Sequence, residues 1–260
     1  MLAPIQQERV VKAASPRASR IDRLWLAPWE LMQGADPWQR DIVHASVTCR
    51  RKVIVNASRQ SGKTEAATAT AYLTGALGGF VLVVSPSDDQ SVEFMRRVLA
   101  LHADHELAGE LREPTQHELC FRNGGRVLAR CSNERTVRIY SSIELLIVEE
   151  ASRVPEALYG AIRPMLAVSR GREFLLSTPW GKRGFFFEEW SGQGSKGWRR
   201  WEVPWRECPR IQPEFVENER LSRGDLWVRQ EYECEFLSLV NSPFDVEAMM
   251  ELERDDYDLL

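Results

Sequence analysis

A mostly parallel α/β fold is predicted by three observations. Continuous apolar runs alternate with helical stretches along the chain. One such run passes through a glycine-containing loop straight into a helix, and another ends in two adjacent acids. Strands that are apolar along their whole length belong to sheets covered by helices on both faces, which is the α/β arrangement.

The elements follow in order. "RIDRLWLAPWELMQGADPWQRDIVHASV" carries a tryptophan-rich helical pattern, a turn at Gly34–Pro37 and a second helix from Trp38. "KVIVNAS" (52–58) is a strand, and "GKTEAATATAYLTGAL" is an alanine-rich helix closed by Gly78 and Gly79. "FVLVVSPS" is the next strand, followed by a helix over "DDQSVEFMRRVLALHADHEL" with Ser87 or Asp88 as its N-cap. "HELCFRNGGRVLARCS" reads as a hairpin turning at Asn123-Gly124-Gly125. "ELLIVEEA" and "REFLLSTP" are buried strands separated by the helical "PEALYGAIRPML". Past Pro179 the texture becomes aromatic and rich in Gly and Arg, with one or two helices over 213–236. The expected organisation is a loose arm over 1–20, a core over 21–179, a smaller lid subdomain over 180–240, and an acidic tail or the start of a linker over 241–260.

Composition narrows the class. With 260 residues, 43% apolar and 28% charged, the chain suits one large domain or a domain with an appendage. A net charge of −4 excludes a uniformly basic nucleic-acid binder, though not a local basic patch. The five cysteines form no C-x-x-C pair, so reduced, buried thiols are expected rather than a disulfide framework or a zinc site. No signal-peptide pattern and no run of membrane-spanning length is present, and the expected compartment is the cytoplasm.

The chemistry concentrates in two stretches. Ala57-Ser58-Arg59-Gln60-Ser61-Gly62-Lys63-Thr64 follows the phosphate-loop frame G-x-x-x-x-G-K-[ST] except at its first position, where Ala adds one methyl. Gly62 lets successive N–H groups face a phosphate, and the following helix adds its positive N-terminal end. Lys63 reaches the β- and γ-phosphates and the Thr64 hydroxyl is placed for Mg²⁺. In "LLIVEEAS" a strand delivers Glu149 to hold the metal through water and Glu150 to polarise the attacking water. Two weaker signals accompany them. Gln39 has an amide able to read an adenine edge, and Ser177-Thr178 end a strand where hydroxyls would sense the γ-phosphate.

Together, "DPWQRDIV", "ASRQSGKTEAA", "TVRIYSSIELLIVEEAS", "LLSTPWGKRGFFFEEW" and "FVENERLSRGDLWVRQEYECEF" resemble, in order and over about residues 25–240, the ATPase domain of phage large terminase subunits. The resemblance implies an ASCE/RecA-like P-loop core with a small C-terminal lid, ATP and Mg²⁺ as cofactors, and ATP hydrolysis that drives double-stranded DNA into a procapsid. It implies adenine contact by Gln39, phosphate and metal contact by Lys63 and Thr64, Glu149 as the metal-site acid, Glu150 as the catalytic glutamate, and Ser177 and Thr178 as the coupling motif. Arg59 in the loop and Arg138 in "TVRIYS" match arginines that act on the transferring phosphoryl group, the second from a neighbouring subunit. Glu149 stands where this family more often has Asp, and Ile139 where glycine is frequent. Implied partners are DNA, the portal protein, the small terminase subunit and further copies of the chain in a five-membered ring, in the bacterial host cytoplasm. Contacts to the DNA backbone are expected from Lys182, Arg183, Lys196, Arg199 and Arg200, whereas Trp190, Trp198, Trp201 and Trp205 are expected to pack. Large terminases continue into a nuclease domain, and no nuclease activity is expected of these residues. The alternatives are a helicase-like ATPase, for which a second RecA-like domain finds no room, and a nucleotide-binding assembly protein, against which Lys63, Thr64 and Glu150 argue.

Overall fold

The computed structural model describes residues 31–238 apart from 33, 50, 106–110, 133–139, 193 and 195. Seven strands form one sheet in the order β3-β4-β2-β5-β6-β1-β7. They are β1 (Lys52–Ala57), β2 (Phe80–Ser85), β3 (Glu118–Cys120), β4 (Arg126–Cys131), β5 (Leu145–Glu149), β6 (Arg172–Ser177) and β7 (Trp198–Val203). Every pairing is parallel except β3 with β4, the expected hairpin. The five middle strands are apolar because both of their faces are covered. Alternate residues of β1 show this: Val53 and Val55 point into one core cluster and Ile54 into the other, all fully or almost fully buried.

Helices α1 (Pro37–Val47), α2 (Lys63–Ala76) and α3 (Asp88–His105) cover the first face. Helices α4 (Glu156–Ile162) and α5 (Gly184–Ser191) cover the second. α2 lies between its neighbours and the sheet, and nearly all of it is buried. Alanine lets the backbones approach, and the buried hydroxyls of Thr68, Thr70 and Thr74 donate to the carbonyls one turn earlier at 2.7–2.8 Å, which removes the cost of burying them. Ser87 caps α3 as expected. Its Oγ accepts the Gln90 N–H and the Gln90 side-chain oxygen accepts the Ser87 N–H, both at 3.3 Å.

The stretch read as a separate lid divides differently. β7 extends the core sheet beside β1, and α5 packs into the core of the second face. "WRRWEV" hides this role because an edge strand buries only part of its side chains, and its arginines make it look like surface. A small satellite is left, α6 (Pro213–Arg223) and α7 (Asp225–Glu231), with its own cluster of Val216, Val228 and Tyr232. Trp198 is buried, Trp190 and Trp201 pack against the two cores, and Trp205 packs against the satellite, so the tryptophans serve packing. All five cysteines are free; Cys208 and Cys234 are buried, Cys120 and Cys131 half-buried, and Cys49 is exposed, contrary to the expectation of uniform burial. The arm over 1–20, the first tryptophan-rich helix, Arg138 and the acidic tail lie outside the described residues.

Candidate nucleotide site

Parallel strands all point their carboxyl ends to one edge of the sheet, and there the chemically active residues meet. β1 runs into the loop 58–62, β2 ends at Ser85, β5 at Glu149 and β6 at Ser177. β6 lies between β1 and β5, so the loop and the acids are separated by one intervening strand.

Gly62 holds the left-handed conformation (φ 90°) that turns the loop into α2 and caps the helix. A Cβ there would lie 2.7 Å from Gln39 Nε2, so the turn leaves no space for a side chain. Gln60 also has positive φ (58°) and is exposed at the crest. Ser58 and Ser61 are buried, and the Ser61 hydroxyl finds no hydrogen-bond partner in the protein. A buried orphan hydroxyl beside a ring of backbone N–H groups is the donor set a phosphate needs.

Across from the loop the acids take complementary partners. Thr64 Oγ1 donates to Glu149 Oε1 at 2.6 Å, and Ser85 Oγ donates to Oε2 at 3.3 Å. Lys63 Nζ lies 3.2 Å from Glu150 Oε1. Glu150 holds left-handed backbone (φ 46°, ψ 48°), which is costly for a residue with a side chain and turns its carboxylate back toward Lys63. The two neighbours respond oppositely. Burial pushes Glu149 above the ordinary carboxylate range, and the negative Glu150 adds to this against the Thr64 hydrogen bond. Burial would also raise Glu150, but the charge and hydrogen bond of Lys63 outweigh it and hold Glu150 below that range. An open cleft of about 330 Å³ adjoins these groups, lined by Thr64, Glu149, Glu150, Asp89, Gln90 and Phe94 among others.

The residues fit a magnesium ion. A hydroxyl and a carboxylate lie within 2.6 Å of each other beside the phosphate loop. Mg²⁺ takes one or two such oxygen ligands and completes its shell with water and phosphate, so the lack of a dense cluster of metal-binding side chains among the described residues is in keeping with it.

Ser177 reaches the same acids. Its Oγ is 3.2 Å from Glu150 Oε2 and 2.6 Å from Ser152 Oγ, while Ser152 donates to the Thr178 carbonyl at 2.8 Å. With the Ser152 proton on that carbonyl, the single Ser177 proton goes either to Glu150 or to Ser152. Thr178 is buried at this turn.

Two predicted residues are held by partners within the protein. The Gln39 amide makes one bond at each end, Oε1 accepting the Asp36 N–H at 2.8 Å and Nε2 donating to the Gly62 carbonyl at 2.9 Å, which fixes its plane and leaves a second N–H and a second lone pair for an adenine edge. Arg59 turns away from the acids. Its Nε donates to Glu231 Oε2 at 2.6 Å and its guanidinium stands over Trp227. Arg199 and Arg200 point to opposite faces of β7, the first over Trp201 and the second onto the terminal carbonyls of α5, while Lys182, Arg183 and Lys196 are exposed elsewhere. Sequence reasoning missed Ser85, Ser152, Arg210 and Glu231. Ser85 carried a usable signal, a hydroxyl closing an apolar strand.

The fold is one that known proteins share. No family model matches the chain. The large terminase subunit of Thermus phage G20c is 28% identical over 250 residues, covering 78% of this chain and 49% of the relative, and that of Thermus virus P23-45 is equally similar. The chain is similar to phage large terminase subunits. It spans about half the length of the curated relatives it matches. Among solved structures, the ATPase domain of the Thermus phage P74-26 large terminase matches with a TM-score of 0.66 at 23% identity, over 80% of this chain and 97% of that one. The HK97 large terminase matches with a TM-score of 0.62 at 13% identity, over 76% and 50% of the two chains. A large terminase from a thermophilic bacteriophage, solved in complex with ADP, matches with a TM-score of 0.59 at 10% identity, over 78% and 53%. At these identities the structural matches establish the fold, that of the terminase ATPase domains.

Proposed function

We propose that this chain is the ATP-hydrolysing motor domain of a large terminase and drives double-stranded DNA into a procapsid. One observation carries the reading: Lys63 and Thr64 of the loop meet Glu150 and Glu149 pairwise, at 3.2 Å and 2.6 Å. An incoming triphosphate would take Lys63 from Glu150. The released carboxylate, no longer held low by Lys63, becomes a stronger base and is then free to accept a proton from an attacking water. Thr64 and Glu149 would hold Mg²⁺, which would supply positive charge against the phosphates. The loop N–H groups from Gln60 to Thr64 would cradle the phosphate chain, those of Ser58 and Arg59 being taken by the Val203 and Glu231 carbonyls. Ser177, able to bond Glu150 or Ser152, would register the change in the Glu150 partner and pass it through the Thr178 turn.

Two arginines complete the proposal. Arg59 reaches the γ-phosphate only by leaving Glu231, and Arg138 would act on a neighbouring copy. Gln39 would contact adenine with the second N–H and second lone pair of its amide. Lys182, Arg183, Lys196, Arg199 and Arg200 would meet the DNA backbone, each weakly. The setting is the bacterial host cytoplasm. The portal protein, the small terminase subunit and a five-membered ring of copies are the partners this reading brings. The relatives named above, one of them solved with ADP bound, support it.

The test is ATP hydrolysis by the purified chain across protein concentration, with and without duplex DNA. Turnover rising more than linearly with protein, lost in Lys63→Ala and Glu150→Gln, is the expected result. Nucleotide binding without turnover under every condition, in wild type as in Glu150→Gln, would sink the hydrolytic reading.

A further inference from the structure

Two successive carbonyls of the loop take side-chain donors from outside it. The Gly62 carbonyl has Gln39, which is local to α1. The Ser61 carbonyl has Arg210, which lies 149 residues further along the chain. Arg210 Nη2 donates to it at 2.8 Å, and the same guanidinium grips Asp36 with two parallel bonds, Nη1 to Oδ1 at 3.0 Å and Nη2 to Oδ2 at 2.7 Å. Asp36 is buried, and its N–H is taken by Gln39. One planar fork thus joins the cap of α1, the loop crest and the segment leading into α6. Its Nη2 passes within 3.4 Å of where a Cβ on Gly62 would stand.

We propose that Arg210 is a positioning residue of the nucleotide loop. By holding Asp36 and the Ser61 carbonyl at once, it keeps the Ser61–Gly62 peptide turned so that the Gly62 N–H faces the phosphate. The ligand in this statement rests on the nucleotide reading above, whereas the loop geometry does not. A lysine has one point charge and cannot reproduce the fork, so it keeps the charge near the loop without keeping the alignment.

The experiment uses the whole chain and two readouts. Amide hydrogen exchange without nucleotide follows the loop peptides over 58–64 against β2 and β5 as internal references. Calorimetric titration with Mg²⁺-ADP measures affinity, beside kcat and KM for ATP. In Arg210→Ala, loop exchange speeds up about tenfold with the strands unchanged, and ADP affinity and KM weaken about tenfold while kcat at saturation stays within about twofold. Arg210→Lys recovers less than half of the loss, and Asp36→Asn, which retains the shape and removes the charge, moves loop exchange the same way. Loop exchange that stays at the wild-type rate in both Arg210→Ala and Asp36→Asn overturns the proposal. So does exchange that rises equally in the loop and the reference strands, because that would make Arg210 a general stabiliser. If the wild type binds no ADP yet its loop responds to Arg210→Ala, the positioning role stands and the nucleotide reading falls.

Discussion

The loop 58–62 is held from two sides by different means. On the side of β2, β5 and β6, the contacts come from short side chains at strand ends: Ser85, Glu149 and Ser177, with Thr64 and Lys63 answering from the first turn of α2. Backbone register places these groups before any side chain chooses a rotamer. On the other side, Arg59 and Arg210 span long sequence distances to Glu231 and Asp36. Those side chains are flexible and partly exposed, and their grip depends on where the 205–235 region sits. One side is built as a fixed frame. The other is a pair of ion pairs, of which Arg59–Glu231 would open toward a ligand's charge while Arg210–Asp36 keeps the loop in place.

Substitutions can break this comparison. The largest effect is expected at the frame's chemical end: Glu150→Gln should lower ATP turnover by about a thousandfold while ADP still binds, measured by steady-state hydrolysis and calorimetry. Next, the frame's own packing: Phe186→Ala removes a 1% exposed ring from the second-face core and should cost about 3–5 kcal/mol in chemical denaturation. On the other side, Arg59→Ala leaves the fully buried Glu231 carboxylate without its 2.6 Å partner. Because Arg59 is itself nearly half exposed, the expected loss is about 1–3 kcal/mol, below the range for a wholly buried pair. Adding Glu231→Gln should restore part of it, and a double-mutant cycle reads the coupling. The smallest effect belongs to the satellite: Val216→Ala should cost about 1 kcal/mol and loosen amide protection in α6 and α7 ahead of β1 and β6. If protection falls equally in the satellite and the sheet, the two sides form a single cooperative unit and the contrast is lost.

How much of this was legible in the sequence follows from the same contrast. The loop, the acids and the strands that carry them are local patterns. "KVIVNAS" into "GKT", and "LLIVEE", each declare their geometry within about ten residues. The Thr64–Glu149 contact was foreseeable because β1 and β5 both belong to one parallel sheet. Arg210 and Glu231 were not foreseeable, since nothing in "CPRIQ" or "VRQEYE" states which loop lies beside it. Gln39 was identified, but its engagement with Gly62 and Asp36 depends on the helix cap and the loop meeting in space. β7 was read as part of an appendage because an edge strand lacks the continuous apolar run that marks the middle of a sheet.

The position of β6 between β1 and β5 sets a dimension. Neighbouring strands stand about 4.8 Å apart, so the mouth between the loop strand and the acid strand is about 10 Å wide at backbone level. Hydrogen bonding across the sheet gauges that opening, so no side-chain substitution can widen or narrow it by much. Evolution at this edge is therefore confined to what lines a slot of constant width. Glu149, one methylene longer than an aspartate, projects its carboxylate further into the gap and leaves the gap itself untouched.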